Sequence, residues 1–383
     1  MRKVILSIIS VFMVSMCVFA QTPAAITAWT RQTPIYPTGY APEMGGAAIY
    51  GDYIYVLGGT NNTDGDTAKV FKIKVDQYTG AVESAVEITN FSTNANYSYI
   101  SSACAAYNGY VYVGGGGYNS GLGAGPSRND ATFIKIVSNG DIDAAWSEST
   151  VFPSSYDPEL CALVIVNGYL YIMGGDSESG ILMDKCFYAK IKVDGTLDTW
   201  QTGTTLPSAC NFSSACAVGN DIIMTQGLTT YFVNTSAVNT LYVCQTNPTT
   251  GAMGSWTLQA STFPSTIYGT RLVAVGDTIF TIGGRTSGGT GVNNVWRATY
   301  NTSTHTVGAW ASTDTQLPDS VKYHDIVYSD SSKSLYIVHT RSGSTATIYD
   351  EVWISSPLFA RPIPTPTPTP IPVLDAKNWE MYN

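Results

Sequence analysis

The stretch YIYVLGGTNNTDGD, residues 53–66, is a short apolar run ending in paired glycines and a polar loop, and it returns five times. Its counterparts are YVYVGGGGYNSG (110–121), YLYIMGGDSESG (169–180), IIMTQGLTT (222–230), IFTIGGRTSGG (279–289) and LYIVHTRSG (335–343). The glycine pairs, or the residues in their place, start at 58, 115, 174, 226, 283 and 338, in steps of 57, 59, 52, 57 and 55. A period of about 50 residues marks a propeller or solenoid array. A phosphate-binding loop occurs once and opens a helix, often with a lysine at fixed spacing. Here Ser, Thr, Asn and Asp follow the glycines, so that reading fails.

The second half of the unit recurs as well. MDKCFYAKIKVDGTLDTW (183–200), TLYVCQTNPTTGAMGSW (240–256) and VWRATYNTSTHTVGAW (295–310) each hold an alternating strand, a turn, and a short strand ending in Trp. A loop of the form TVFPSS (150–155), TTLPSA (204–209), STFPST (261–266) or TQLPDS (315–320) then leads on. One unit is therefore four short strands, which is a propeller blade. The Trp series falls at 29, 146, 200, 256 and 310, and its missing member lies near Ala85 and Val86, so blade two has lost its Trp. The last unit stops after IYDEVWISSPL (348–358) without a fourth strand, and AITAWT (25–30) at the other end supplies it. The expected fold is all-β: a six-bladed β-propeller of four-stranded blades, closed by the N-terminal strand, which leaves no sheet edge open to pairing.

The pattern of hydrophobic strand, Gly-Gly, turn and distal Trp resembles the Kelch repeat and the central propeller of galactose-oxidase-like proteins, over about residues 25–358. The resemblance implies a superfold that hosts binding scaffolds, oxidases and sugar epimerases. The glycines are expected to relieve crowding near the axis, where strand two is placed. The Trp residues are expected to pack between blades.

Composition and flanks set the context. Twenty-five Tyr and 36 Gly, with only 12% charged residues, suit strands and turns. Residues 1–20, MRKVILSIISVFMVSMCVFA, read as a signal peptide cleaved after Ala20, which implies a secreted, periplasmic or cell-surface protein. The propeller is assigned to residues 21–360. Residues 361–383 form a Pro-Thr linker, an extended spacer, and a short tail. A net charge of -9 without basic clusters argues against nucleic acid, and no segment after the signal could span a membrane. A monomer is expected. Six cysteines remain after cleavage: 104, 161, 186, 210, 216 and 244. Disulfides are permitted in an oxidising compartment, but Cys104 and Cys216 occupy matching positions in SSACAAYNG and SSACAVGND and read as apolar filler.

In a propeller the loops from strand two to three and from strand four to the next strand one share one face. Tyr36, Tyr40, Tyr97, Tyr99, Tyr156, Phe212, Tyr268 and Tyr323 are placed there, rings suited to sugars or an extended polymer. Arg271, Arg285 and Arg341, near Lys322 and His324, are expected to converge on it and to hold a carboxylate or sulfate. Glu43, Asp157, Glu159 and Asp176 are candidate paired carboxylates. Galactose-oxidase resemblance would imply a copper site with two His, a Tyr and a crosslinked Tyr-Cys. The only histidines are His305, His324 and His339, with no such arrangement beside them, so no metal or cofactor is expected. The reading is a binding module for a glycan or protein partner at the cell surface. The alternatives are a sugar-acid epimerase-like enzyme with an Arg-lined pocket and a structural surface module.

Overall fold

The computed structural model describes residues 21–32, 35–37, 44–61, 65–66, 69–90, 103–116, 128–177, 179–338, 341–343 and 350–363. Six four-stranded antiparallel sheets form a six-bladed β-propeller. The inner strands Gly46–Tyr50, Ala103–Tyr107, Ala162–Val166, Ser214–Val218, Arg271–Val275 and Asp325–Ser329 neighbour one another in a closed ring and begin blades 1 to 6. Blade 6 takes its outer strand from the N-terminus: Trp29–Gln32 pairs with Val352–Ser355, Trp29 opposite Ser355 and Gln32 opposite Val352. Counted this way, the blade without a distal Trp is blade 1, whose outer strand is Val86–Asn90.

The second strand of each blade is packed on both faces, which explains its unbroken apolar run. All five residues of Tyr169–Met173 and of Thr278–Ile282 are buried. The first strand, not the second, lines the axis, so axial crowding does not explain the glycine pairs. They sit at the end of strand two, pressed on the loops that lead into inner strands. A Cβ on Gly283 would lie 2.5 Å from the His324 ring, and one on Gly284 would lie 2.9 Å from the Tyr268 carbonyl oxygen. Gly284 also holds φ +109°, which a side chain disfavours. Strand two of blade 6 ends at Val338, so the glycine positions there fall on 339 and 340, one later than the spacing suggests, and Arg341 is the counterpart of Arg285.

The tyrosines of the YxY strands join blade to blade. Tyr55, Tyr112 and Tyr171 donate their hydroxyls to the carbonyls of Gly140, Gly195 and Gly251 in the next blade, at 2.9, 2.9 and 2.8 Å. The first tyrosine of each pair, Tyr53, Tyr110 or Tyr169, lies over the same glycine, where a Cβ would stand 2.3–2.4 Å from the ring. At the closure between blades 6 and 1, Tyr336 donates to the Gly80 carbonyl at 2.8 Å, but the first position is Ser334. The Arg361 guanidinium covers Gly80 instead. It donates to Ser332 O at 2.8 Å, to Ser334 Oγ at 2.9 Å and to Thr79 O. Three of the distal tryptophans tie their blade to the previous one: Trp200, Trp256 and Trp29 donate Nε1–H to the carbonyls of Thr150, Thr204 and Thr315 at 3.1, 3.0 and 2.8 Å.

The closing strand has its own anchor. Asp314, whose side chain is fully buried, accepts the Ile26 N–H at 2.6 Å and pairs with Arg297. Arg297 donates in turn to the carbonyls of Pro23 and Ala24, both at 2.9 Å. Ile26, Leu317, Trp353 and Leu358 pack around this junction. Among the described residues no helix is long and apolar enough to cross a membrane.

Candidate functional site

On the loop face, one rung repeats from blade to blade. The residue after the glycine pair bridges to the loop entering the same blade: Asp176 to Glu159 in blade 3, Leu228 to Asn211 in blade 4, Arg285 to Tyr268 in blade 5, Arg341 to Lys322 in blade 6. The backbone position is shared while the chemistry runs from acidic through apolar and aromatic to basic. The residue that follows in the incoming loop turns left-handed toward the axis: Leu160 φ 50°, Phe212 φ 51°, Gly269 φ 61°, Tyr323 φ 58°. For residues with a Cβ this costs on the order of 1–2 kcal/mol, a strain typical of functional rims.

Arg285 is the best-defined cation of this face. Its guanidinium lies 5.2 Å from the Tyr268 ring centroid and 5.3 Å from that of Tyr323. Nε donates to Gly289 O at 3.0 Å and Nη1 to Tyr323 Oη at 2.5 Å. Tyr268 is itself fixed, donating its hydroxyl to Asn234 Oδ1 at 2.7 Å. Two rings and a carbonyl orient Arg285, yet among the described residues it has no carboxylate partner. Arg31, Arg128, Arg271 and Arg297 each pair with one.

The other expected site residues are placed differently. Arg271 faces the axis, donating to Asp325 Oδ1 and His324 O, both at 2.9 Å. It lines a central cavity of about 140 Å³ with Ala47, Cys104 and Asp325, beneath Leu160 and Phe212. That volume is below the usual range for ligand sites. Arg271 is thus committed to the channel, and the backbone of Arg341 pairs with that of Lys322. His324 is fully buried between blades. Its Nε2 donates to Ile282 O at 3.0 Å. Burial and the nearby Arg271 charge push its pKa down to about 4, so it is a neutral packing residue. Tyr156 is also buried, its hydroxyl donating to Gly174 O at 2.6 Å and its ring among Phe152 and Phe187. Tyr36 packs edge-on against Phe71. Tyr40, Tyr97, Tyr99, Glu43 and His339 lie outside the described residues.

Of the candidate carboxylates, Asp176 stands apart. It is 2% exposed and accepts a hydrogen bond from Asn211 Nδ2 at 3.1 Å. Burial, helped by the charge of Glu159, pushes its pKa up to about 7. Asp157 lies at a rim cleft of about 370 Å³ with Ser177, Ser179, Asp184 and Lys185. Among the described residues no group of three or more His, Cys, Asp or Glu is positioned to hold a metal ion.

The loop between strands two and three of blade 4 was not legible as part of the site. It carries Asn234 and the consecutive Tyr231, Phe232 and Val233, which are 42%, 51% and 44% exposed. The only sequence signal was an apolar trio, YFV, inside a polar loop, with no periodicity to interpret.

No family model and no curated protein matches the chain. Among solved structures, the protein described as "Structure of YjhT" is similar, with a TM-score of 0.59 and 13% identity over 85% of this chain and 96% of that one. At that identity the likeness speaks for the fold, a β-propeller.

Proposed function

We propose that this chain is an exported, Kelch-like propeller that binds a glycan carrying an acidic group on its loop face. The observation that carries the reading is Arg285, held between Tyr268 and Tyr323 with no carboxylate partner among the described residues. A guanidinium oriented by flanking rings loses little freedom when it takes a carboxylate or sulfate, and of the two rings the partly exposed Tyr323 suits a sugar while Tyr268 is buried beneath. Titration calorimetry with galacturonate and galactose tests this. Galacturonate is expected to bind more tightly, with affinity falling as salt rises. Arg285→Gln is expected to weaken it by roughly ten- to a hundredfold, the value of one charge-assisted contact of about 1.5–3 kcal/mol. Equal binding of both sugars by the wild type would remove the acidic subsite.

One observation favours a second reading, a sugar-acid enzyme. Asp176 is a buried carboxylate poised near neutrality beside Glu159, as a general acid–base would be. NMR of galacturonate anomers incubated with the wild type and Asp176→Asn separates the readings. Accelerated interconversion lost in the variant supports catalysis, and rates equal to buffer alone leave a binding module.

A further inference from the structure

Arg285 is not isolated: a chain of rings leads away from it. Tyr268 and Tyr323 flank the guanidinium, Phe212 lies 5.4 Å from Tyr268, Phe232 lies 5.6 Å from Phe212, and Tyr231 lies 4.7 Å from Phe232. The chain ends in the exposed Tyr231–Phe232–Val233 crest. The crest is built, not frayed. Phe232 is held at φ +48°, a left-handed conformation that a Cβ disfavours. Ser236 accepts the Thr230 N–H at 2.9 Å and donates to Val233 O at 2.7 Å, and Asn234 is tied to Tyr268. Tyr231 lies over Gly180, where a Cβ would stand 2.7 Å from its ring. Gly180 sits between Ser179 and Ile181, which line the rim cleft.

Arginine, exposed rings and a cleft that sets Ser177, Ser179 and Lys185 beside Asp157 and Asp184 thus form one track from blade 5 to blade 3. We propose that its ligand is an acidic oligosaccharide, not a single sugar: one acidic unit at Arg285, the following units stacked on Phe232 and Tyr231, and the chain running toward Ser177 and Ser179. This rests on the acidic-glycan reading of Arg285 and extends it. Two features favour a saccharide chain. The rings of Tyr231 and Phe232 stand at 89° to each other, which suits consecutive sugar faces that turn along a chain better than one flat apolar partner. The track also alternates rings with hydroxyl and amide groups, as a ligand with both apolar faces and polar edges requires.

The test uses the full chain and galacturonate oligomers of one to five units, beside a neutral galactose series. Wild-type affinity is expected to rise at least tenfold from one unit to three and then level off. Tyr231→Ser combined with Phe232→Ser is expected to flatten that rise while the monomer's affinity stays within twofold. Both substitutions are at exposed positions, and an unchanged thermal midpoint confirms folding. Arg285→Gln is expected to lower the whole acidic series. A flat wild-type series overturns the extended track. A rising series indifferent to Arg285→Gln and matched by the neutral oligomers overturns the acidic subsite but leaves the stacking. Concentration-dependent self-association lost with Phe232→Ser, together with a flat series, would give the crest to a second copy of this chain and overturn the proposal.

Discussion

The junction between blades 3 and 4 and the junction between blades 4 and 5 solve one packing problem with different residues. In the first, Tyr169 lies over Gly251 and Tyr171 bonds to that glycine's carbonyl. In the second, the turn keeps its shape: Asn301 accepts the N–H groups of Ser303 and Thr304, as Asn247 accepts those of Thr249 and Thr250. The glycine's place is taken by His305 at φ +55°, and the covering tyrosine's place by Asp221. Asp221 then accepts hydrogen bonds from Tyr300 Oη and His305 Nδ1, both at 2.7 Å. A ring over a bare Cα has become a carboxylate facing a side chain. The exchange works because both partners changed. Blades 1 to 4 thus keep the full YxY–Gly staple; the half from blade 4 onward keeps only its second tyrosine, at the closure through Tyr336 and Gly80, and also carries the aromatic and basic rungs of the loop face.

The largest effect is expected where the ring depends on an ion pair instead of a staple. Arg297→Met would leave the Asp314 carboxylate buried without its cation, a loss of about 3–5 kcal/mol. Urea unfolding should show it as a lower midpoint at unchanged slope. An effect as small as that of a surface substitution would mean that the packing of Ile26 and Trp353, not the ion pair, holds the closing strand.

Blade 3 and blade 6 should respond to pH in opposite senses. His324 is held near 4 in the fold against about 6.5 unfolded. The unfolded chain therefore binds the extra proton between those values, and stability is lost as pH falls from about 6.5 to 4, by on the order of 3 kcal/mol. Asp176 is held near 7 against about 3.9 unfolded. The folded chain binds the extra proton, and stability is lost as pH rises from about 4 to 7, by a similar amount. Unfolding free energies across pH 4–7 should lose their rising component in His324→Gln and their falling component in Asp176→Asn. If both variants keep the wild-type profile, neither group titrates out of register with the unfolded chain.

The exchange itself can be transplanted. Gly251→His in the blade 3–4 junction would collide with Tyr169, and Tyr169→Asp alone would leave a void over Gly251. Together they recreate the Asp221–His305 arrangement. A double-mutant cycle is expected to give a favourable coupling within the roughly 0.5–3 kcal/mol range of residues in contact. Additive losses would show that the surrounding turn, and not the pair, sets the junction.

Much of this architecture was legible because a propeller writes its packing periodically. The strand-two runs, the distal Trp and the closure by residues 25–30 each recur or complete a recurrence. The site was legible only in part. Arg285, Tyr268 and Tyr323 were picked by residue type and do meet. Arg271 and His324 lie two residues and one residue past the left-handed Gly269 and Tyr323, and both turn inward, Arg271 to the axis and His324 under Gly283. Which side of a left-handed turn a residue occupies is set by Gly269 and Tyr323, and spacing does not encode it. The YFV crest carries no such signal, because a single loop has no repeat to be compared with.

The smallest expected effect concerns two cysteines that the SSAC motif aligns and the strand register sets one residue apart. Cys104 is second in Ala103–Tyr107, opposite Val113, whereas Cys216 is third in Ser214–Val218, opposite Ile223; that one-residue offset turns them to opposite faces, Cys104 partly exposed at the central cavity and Cys216 buried. Among the described residues the thiols of Cys161, Cys186, Cys210, Cys216 and Cys244 form no disulfide. Burial pushes the thiols of Cys161, Cys210, Cys216 and Cys244 up to about 12, which suppresses the reactive thiolate. Titration with a thiol reagent in native buffer should therefore label one site quickly, and mass spectrometry should locate it at Cys104. In denaturant all six should react without prior reduction. Cys104→Ser should cost less than about 1 kcal/mol, and Cys216→Ser more, because its hydroxyl would be buried among apolar side chains. Fast labelling of Cys216 in the native protein would mean that the inner strands of blades 4 and 5 open on the labelling timescale. Fewer than six thiols in denaturant would mean that some of these cysteines are paired in the isolated protein.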